Sequence, residues 1–466
     1  MGRIVYAEEC LFNYLESLAQ SDAYTVGLIL GQSTGETDYV IHLARTPPPA
    51  SKDVIEETLI GSTTNLHQES PVQFIKSIKD VPSSWVADHA KHVTRMLPGG
   101  MWVLGIFIVG PDDCLNNSDS TQRLRSIITT IHQNLESDPY LYGNNPHDNI
   151  ILAYNSRTKR FSCKSFEANG NGSLKNAEVK FQSKITKWYQ LDTHVDFDQM
   201  YPVIKDHESD SLKKQLQNIL EDISNKIGSS IVVLEGESMS LDDPIEILGE
   251  KKKKDRQESK SNDTNFNNRV LEAVIYIPSL PNKSTSLEIK RTNFCASIRL
   301  QGRLISRTFV HQSSTIGEAA SAIKHDIMRS MTSRLEMHAD SLIEEENGLP
   351  EGKIDNITLH EPPRRVLVAL PKSRITLSDY LFPGEGPQEA LISLQELLDL
   401  EVQESNVQKD FELQADPSEF YSQNEIITEP TEQKKYSDNN HLFLYMSGLI
   451  VALIILIISI LIHYFY

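Results

Sequence analysis

The chain has 466 residues, 39% of them hydrophobic, and a formal net charge of -19 at pH 7. This length and apolar content suffice for two or three domains with substantial cores. The strong negative charge argues against a sequence-independent grip on nucleic acid, so no nucleic acid is expected among the partners. Four scattered cysteines without CxxC pairing are typical of reduced thiols in a cytosolic protein: Cys10, Cys114, Cys163 and Cys295.

The chain opens with the pattern of a helix followed by a hairpin. Apolar residues at helical spacing predict a helix over residues 7–19. Two apolar runs separated by a glycine-containing turn predict strands at Tyr24–Leu30 and Asp38–Ala44. Prolines at positions 47–49 end the second strand, because proline cannot donate to a strand ladder.

The next elements complete a compact α/β domain that we place at residues 1–195. A short helix near residues 84–96 leads through the turn Leu97-Pro98-Gly99-Gly100 into an apolar run, Met101–Val109, which predicts a central strand. Apolar residues at i, i+3, i+4, i+7 and i+11 from Leu124 then predict an amphipathic helix packed on the sheet. Two further strands are predicted near residues 149–154 and 160–166.

This order of elements, with GLILG in the first hairpin and VLGIF in the central strand, resembles the MPN fold. Active members of that fold are zinc isopeptidases, and the resemblance implies two histidine ligands just after the central strand. Here those positions are Ile108 and Gly110, which cannot bind metal. Asp112 and Asp113 follow as a loop acid cluster without imidazoles. We therefore expect a non-catalytic, MPN-like domain lacking metal ligands.

Two histidines on the preceding helix and the cysteines are the remaining candidates for chemistry. His89 and His92 are spaced i, i+3, and we interpret them as surface or packing side chains rather than metal ligands. Cys10 falls in a predicted helix and Cys163 in a predicted strand, without a context that would activate a thiol. Phosphate-loop, dinucleotide, serine-hydrolase and HExxH motifs are all missing from the sequence. We therefore expect no enzyme activity, no catalytic residues and no cofactor.

Several short motifs in a shared order point to a known family. They are Met1-Gly2-Arg3, GLILGQ from Gly27, DYVI from Asp38, RTPP from Arg45, RMLPGG from Arg95, LGIFI from Leu104 and a closing His463-Tyr464-Phe465. Together they resemble the odorant response abnormal protein 4 family, densely over about the first 110 residues and again at the C-terminus.

The resemblance implies a membrane adaptor of the endoplasmic reticulum. Proteins of this family are implicated in maturation and trafficking of odorant and other G-protein-coupled receptors. They also bind and recruit the cysteine protease that removes the ubiquitin-fold modifier. The family supplies no catalytic residues, so the expected partners are this protease, the receptors and the lipid bilayer, and the partner surface is unknown.

A second, smaller α/β domain is predicted at residues 200–400. Its elements are an amphipathic helix from Leu212 to Ile227, a short strand at Ile231–Leu234, and a strand at Val270–Ile277. Two antiparallel strands are expected at Cys295–Leu300 and Leu304–Val310, followed by a long helix from Ile316 to Leu342 and a strand at Arg365–Leu370. Residues 250–267 are charged and rich in serine and asparagine, which predicts a disordered loop.

The C-terminal part predicts a tether and a membrane span. Residues 401–440 are acidic, contain several prolines and lack heptads, so we expect a flexible linker. Residues 442–462 carry no formal charge and would reach about 30 Å as a helix, enough to cross a bilayer. Residues along this anchor are Leu442, Leu449, Ile455 and Ile462. With no secretory signal at the start, we expect a single-pass tail anchor in the endoplasmic reticulum membrane, with the bulk facing the cytosol.

Two alternatives to the adaptor stay open. The span could itself pack beside receptor segments as a membrane chaperone, because Ser447, Gly448 and Ala452 place small residues close together. Exchange of the span for an unrelated anchor separates the two, since only a chaperone would fail. The third possibility, a metal-dependent isopeptidase, predicts bound zinc.

Overall fold

A computed structural model describes residues 2–19, 23–47, 75–143, 149–166, 174–204, 212–248, 270–278, 294–348 and 361–412. Met1–Gln414 form one compact unit, and the second unit, Ala415–Tyr466, lies outside the described residues. In the described part of the chain, no helix is long and apolar enough to cross a membrane. The loop predicted at 250–267 and the span predicted at 442–462 both lie outside the described residues.

The first ten elements alternate between strands and helices. They are β1 (Ile4–Glu8), α1 (Glu9–Leu18), β2 (Thr25–Thr34), β3 (Thr37–Arg45), α2 (Ser83–Met96), β4 (Trp102–Gly110), α3 (Ser118–Glu136), α4 (Pro139–Tyr142), β5 (Asn149–Asn155) and β6 (Arg160–Phe166). The predicted hairpin, central strand and both longer helices are confirmed, whereas the sequence did not predict β1.

The remaining elements run to the end of the described residues. They are β7 (Lys175–Asn176), β8 (Glu178–Gln182), β9 (Trp188–Ile204), α5 (Leu212–Gly228), β10 (Ile231–Leu234), β11 (Val270–Tyr276), β12 (Phe294–His311), α6 (Ile316–Gly348), β13 (Arg364–Ala369), β14 (Thr376–Leu381), α7 (Pro387–Leu398) and β15 (Val407–Gln408). The fold is therefore mixed α/β, as predicted.

An eight-stranded sheet forms the larger layer, in the order β7-β6-β5-β4-β2-β3-β1-β8. Strand β4 pairs antiparallel with β2 and parallel with β5. The parallel pairing follows from α3, which supplies the crossover that two parallel strands require. Every residue of β4 after Trp102 is buried, as its continuous apolar run predicts for a central strand.

The two faces of this sheet bury separate cores. On one face, α1 contributes Leu11 and Leu15 to a core that also contains Phe107. On the other, α2 contributes Val93 and α3 contributes Ile127. The predicted apolar face of α3 is confirmed, since the residues at the predicted spacing are its buried ones. Both faces of the sheet are thus covered by helices.

A four-stranded sheet follows, in the order β10-β11-β9-β12. Strands β9 and β12 form a long antiparallel ribbon, and helices α5 and α6 share a core with one face of this sheet. The prediction of two strands within residues 295–310 is wrong. Gly302 does not turn the chain but pairs with Phe197, so β12 continues through it. The predicted domain boundary near residue 195 falls inside β9.

A three-stranded sheet, in the order β14-β13-β15, closes the unit and shares a core with α2 and α7. The flexible linker predicted for residues 401–440 begins too early. Val407 pairs with Val368, and the side chain of Glu412 is buried, so residues 401–412 belong to the folded body. Residues 413–440 lie outside the described part of the chain.

Candidate functional site

Ile108 and Gly110, the positions at which the MPN resemblance would place histidines, lie at the end of β4. Ile108 is buried there, and a Cβ at Gly110 would lie 2.3 Å from the ring of Tyr24, so no larger residue fits at position 110. The Asp112 carboxylate accepts a hydrogen bond from the Tyr24 hydroxyl at 2.5 Å. Within the described ranges, no three His, Cys, Asp or Glu side chains are grouped as metal ligands.

Burial lowers the pKa of both histidines of α2. His89 lies with one ring nitrogen 3.1 Å from the Thr46 hydroxyl and the other 2.7 Å from the carbonyl oxygen of Leu397. Burial lowers its pKa to about 4. Burial also lowers the pKa of His92, and Arg95 adds to that effect. The interpretation of His89 as a packing histidine is confirmed, because its contacts join α2 to the chain around it.

The cysteines with described side chains are unactivated. Burial and the nearby Asp112 carboxylate raise the pKa of Cys114 to about 11. Burial and the Asp38 carboxylate raise the pKa of Cys163 to about 12. Partial burial and Glu8 raise the pKa of Cys10 as well. Because the thiolate is the nucleophilic form, these shifts oppose covalent catalysis at all three positions.

The three thiols should nevertheless differ in their reactivity towards a soluble reagent, because they differ in exposure. Cys10 is exposed, whereas Cys114 and Cys163 are buried. N-ethylmaleimide at pH 8 is therefore expected to modify Cys10 in the folded, full-length chain and to leave the other two intact. Peptide mass spectrometry gives the site of each adduct, and a sample unfolded in guanidinium should carry adducts at all three. Modification of Cys163 at the rate of Cys10 before unfolding would contradict the fold around β6.

Five buried charged residues form a connected cluster where α6 meets several other elements. We call this cluster the polar interlock: Asp326, Arg329, Arg334, Arg365 and Glu412. Charged side chains at such depth are rare and need partners for every charge, because taking a charge out of water is costly. The contacts below supply those partners.

Asp326 is the centre of the polar interlock. Its carboxylate accepts two hydrogen bonds from the Arg365 guanidinium, at 2.7 and 2.9 Å. It also accepts one from the Ser306 hydroxyl at 2.7 Å and one from the backbone N–H of Gly99 at 2.8 Å. A Cβ at Gly99 would lie 2.4 Å from the carbonyl oxygen of Ala322, so glycine is required for this approach. The interlock thus joins α6, β12, β13 and the turn before β4.

Arg329 binds the carbonyl groups of the same turn. Its guanidinium donates to the carbonyl oxygens of Leu97 at 2.9 Å, Pro98 at 3.1 Å and Met101 at 3.3 Å. It also lies over the ring of Trp102. Burial lowers the pKa of Arg329 to about 10, which leaves it charged at neutral pH. Asp326 therefore binds a backbone N–H of the LPGG turn, and Arg329 binds carbonyl oxygens of the same turn.

Glu412, the last described residue, belongs to the same cluster. Its carboxylate accepts hydrogen bonds from Arg334 at 2.7 Å, from the backbone N–H of Ile305 at 2.8 Å and from the backbone N–H of Arg365 at 2.9 Å. Sequence reasoning missed the interlock. The available signal was charge inside a predicted buried helix, since Asp326 and Arg329 stand three apart among alanine, isoleucine and methionine.

An exposed apolar surface lies on the face of the four-stranded sheet opposite α5 and α6. Side chains of β10 and β11 pointing to this face form what we call the apolar stripe: Ile231, Val233, Val270, Glu272, Val274 and Tyr276. Ile231 is 64% exposed and Tyr276 is 58% exposed. Ile231 stands opposite Tyr276 in the ladder, and Val233 stands opposite Val274, so the stripe is two side chains wide.

The neighbouring ribbon of β9 and β12 turns charged side chains to the same face. Asp196 pairs with Arg303 at 2.7 Å and Asp198 pairs with Arg299 at 2.8 Å. Hydrogen bonds from the two guanidinium groups lower the pKa of Asp196 and Asp198. Exposed pairs of this kind contribute little stability, because solvent screens them. The ribbon is a solvated polar surface, which contrasts with the apolar stripe beside it.

A contiguous, exposed apolar surface bordered by charges is typical of a protein-docking site. The sequence did not reveal it, because Val270–Tyr276 is apolar except for Glu272, and this pattern does not show which face of the strand stays exposed. In the structure, Leu271 and Ala273 point into the core, while Val270 and Val274 face outward. The apolar stripe is our candidate functional site.

The described molecule is a mixed α/β protein with a candidate docking surface. The chain belongs to the ODR4-like (odorant response abnormal 4-like) family, whose model matches residues 27–409. This confirms the family resemblance found in the sequence motifs.

Relatives extend over most or all of the chain. It is 30% identical over 414 residues to "Protein odr-4 homolog" of Gallus gallus, covering 87% of this chain and 86% of the relative. It is 26% identical over 479 residues to the protein of the same name in Homo sapiens, covering 100% of both. Among solved structures, "Crystal structure of UfSP from C.elegans" is similar with a TM-score of 0.41 and 9% identity, over 86% of this chain and 57% of that one. Similarity at that level carries no further conclusion.

Proposed function

We propose that this chain is a membrane-anchored adaptor of the endoplasmic reticulum. It recruits the ubiquitin-fold modifier-specific cysteine protease and supports folding and trafficking of G-protein-coupled receptors of the odorant type. Membership of the ODR4-like family is the observation that carries this proposal. The exposed apolar stripe adds support, since an adaptor needs a surface on which to hold a partner.

The proposed anchor is the uncharged segment at residues 442–462, including Leu442, Leu449, Ile455 and Ile462. The lysines at positions 434 and 435 precede this segment and no Lys or Arg follows it, which agrees with a bulk that faces the cytosol. Confinement near a bilayer can raise the effective concentration of a bound partner toward the millimolar range without new chemistry. The adaptor would therefore act by location.

We also propose that the N-terminal part is a non-catalytic relative of the MPN fold and that the chain is not an enzyme. The apolar Ile108 and the glycine at position 110 support this proposal. The raised pKa values of Cys114 and Cys163 support it further. Such a domain contributes surface rather than chemistry.

Affinity capture of the full-length chain from detergent-solubilised cells tests the proposal. The modifier protease is expected among the captured proteins and in the membrane fraction. A variant that lacks residues 442–462 should capture the same protease from the soluble fraction. Exchange of these residues for an unrelated anchor should leave receptor trafficking intact, whereas a direct membrane chaperone would lose it. Failure of the full-length chain to capture the protease would overturn the proposal.

A further inference from the structure

The two halves of the four-stranded sheet differ on the face opposite α5 and α6. Strands β9 and β12 expose mainly polar side chains there, whereas strands β10 and β11 expose mainly apolar ones. In the β9–β12 ribbon, inward residues such as Leu191 and Val195 are buried, while the outward residues are mostly charged, with Met200 as an exposed apolar exception. Strands β10 and β11 are apolar on both faces except for Glu272, with Ile231, Val274 and Tyr276 exposed. An antiparallel sheet with one solvated face normally alternates apolar and polar residues. The exception therefore marks a part of the sheet that something else covers.

The shape of the apolar stripe decides what kind of segment covers it. Along β11 the stripe runs for the seven residues Val270–Tyr276, about 24 Å at about 3.4 Å per residue. A strand added at the edge would lie beside β10 and leave Val270 and Tyr276 exposed. A helix of about 16 residues, at about 1.5 Å per residue, covers the whole stripe. It would also complete a three-layer arrangement, with helices on both faces of the sheet.

Charge decides the character of that helix. Strands β10 and β11 contain no lysine or arginine, and the exposed carboxylate of Glu272 stands in the middle of the stripe. On the adjacent strand, Asp192 is the ladder partner of Glu272, but Asp192 is paired with Arg307, and Asp196 further along is paired with Arg303. Glu272 is therefore the charge of this surface that a bound helix has to match. A helix that fits here carries apolar residues on one side and lysine or arginine opposite Glu272.

We infer that the apolar stripe is where the proposed partner protease docks, through an amphipathic helix with basic residues facing Glu272. This inference rests on the proposed adaptor function and deepens it by naming the surface. Tyr276 is the expected hot spot, because it is the aromatic side chain of the stripe and tyrosines carry much of the binding energy of an interface. Glu272 sets the salt dependence of binding, because its pairing with a cation is screened by ions.

Binding of the purified protease to the full-length chain in detergent tests the inference. Tyr276→Thr is expected to weaken binding at least about 30-fold, as loss of a hot spot does. Thr keeps a strand-forming residue at a site that already faces solvent, so the fold should persist. The wild-type chain should bind more tightly at low salt. Glu272→Lys should weaken binding about 10-fold and abolish this increase in affinity at low salt. The matched control is Ile185→Thr, since Ile185 is 64% exposed outside the stripe.

The outcomes separate this inference from the proposed function. If the wild-type chain binds the protease and Tyr276→Thr binds equally well, the docking surface is wrong while the adaptor function stands. If the wild-type chain does not bind the protease, both the docking surface and the adaptor function are wrong. A photo-crosslinker at position 276 should label a helical segment of the protease with basic residues. A label on an acidic or extended segment, or equal binding by Glu272→Lys, would overturn the amphipathic-helix inference.

Discussion

Replacement of Asp326 by alanine is expected to lower the free energy of unfolding by about 3–5 kcal/mol, which is the effect of removing one partner of a buried ion pair. Asp326 is fully buried, and the guanidinium of Arg365 is 3% exposed. Burial alone would lower the pKa of Arg365, but the Asp326 carboxylate outweighs it and the pKa is raised. Without Asp326, the Arg365 charge stays buried with its main counter-ion gone. The Gly99 N–H and the Ser306 hydroxyl lose their acceptor as well.

The matched control is Asp196→Ala, which removes the same carboxylate from an exposed pair with Arg303. Its effect should be small, because solvent screens an exposed ion pair. Urea denaturation of the full-length chain in detergent measures both, with tryptophan fluorescence as the signal. Trp102 is a suitable reporter because Arg329 of the interlock lies over its ring. Equal destabilisation by the two substitutions would show that the interlock does not hold α6 to the turn at Gly99.

Much of the fold could be predicted because apolar periodicity reflects burial directly. The amphipathic face of α3, starting at Leu124, and the apolar run of β4 each have one structural solution in a layered α/β protein. The strand β1 was missed because Ile4–Glu8 is short, and its alternation of partly buried and buried residues needs β3 and β8 as neighbours. Local pattern therefore gave α3 and β4, whereas the long strand β9 was not predicted and β12 was predicted as two strands.

The candidate site could not be predicted for a related reason. A sequence shows that Val270–Tyr276 is apolar except for Glu272, but not that, in the described part of the chain, helices pack on one face of β11 and leave the other open. Likewise, Glu412 stands in an acidic stretch whose composition predicts solvation. Its burial depends on Arg334, 78 positions away in the chain, and on two backbone N–H groups. Side chains that act through distant partners carry no local signal.

Buried neutral histidines tie the parts of this fold together. The pKa of each is lowered by burial, and they lie at contacts between elements: His42, His89, His311 and His325. His311 stacks on Tyr39 of β3, with ring centroids 3.8 Å apart. His325 stacks on Trp102 of β4 at 4.5 Å. Protonation of any of them would place a charge at such a contact, which burial opposes at each position.

Stability is therefore expected to fall as the pH drops from about 6.5 towards 4. His89 has a pKa of about 4 in the folded chain against 6.5 for the ordinary group. Between these values the unfolded chain binds a proton that the folded chain does not, so the free energy of unfolding rises with pH across this window. His89 alone should account for a loss of about 2 kcal/mol between pH 7.5 and pH 5, and His311, whose pKa is also lowered to about 4, adds to the loss.

His89→Gln isolates one contribution. Glutamine cannot take up a proton in this range, and its amide can still donate to the carbonyl oxygen of Leu397, which lies 2.7 Å from the His89 ring. The variant should therefore lose about 2 kcal/mol less than the wild-type chain between pH 7.5 and pH 5. Urea midpoints at half-unit pH steps measure the difference. Identical pH slopes would show that His89 does not carry a depressed pKa in the folded state. A smaller slope would link the contact between α2 and the end of α7 to acid sensitivity of the whole body.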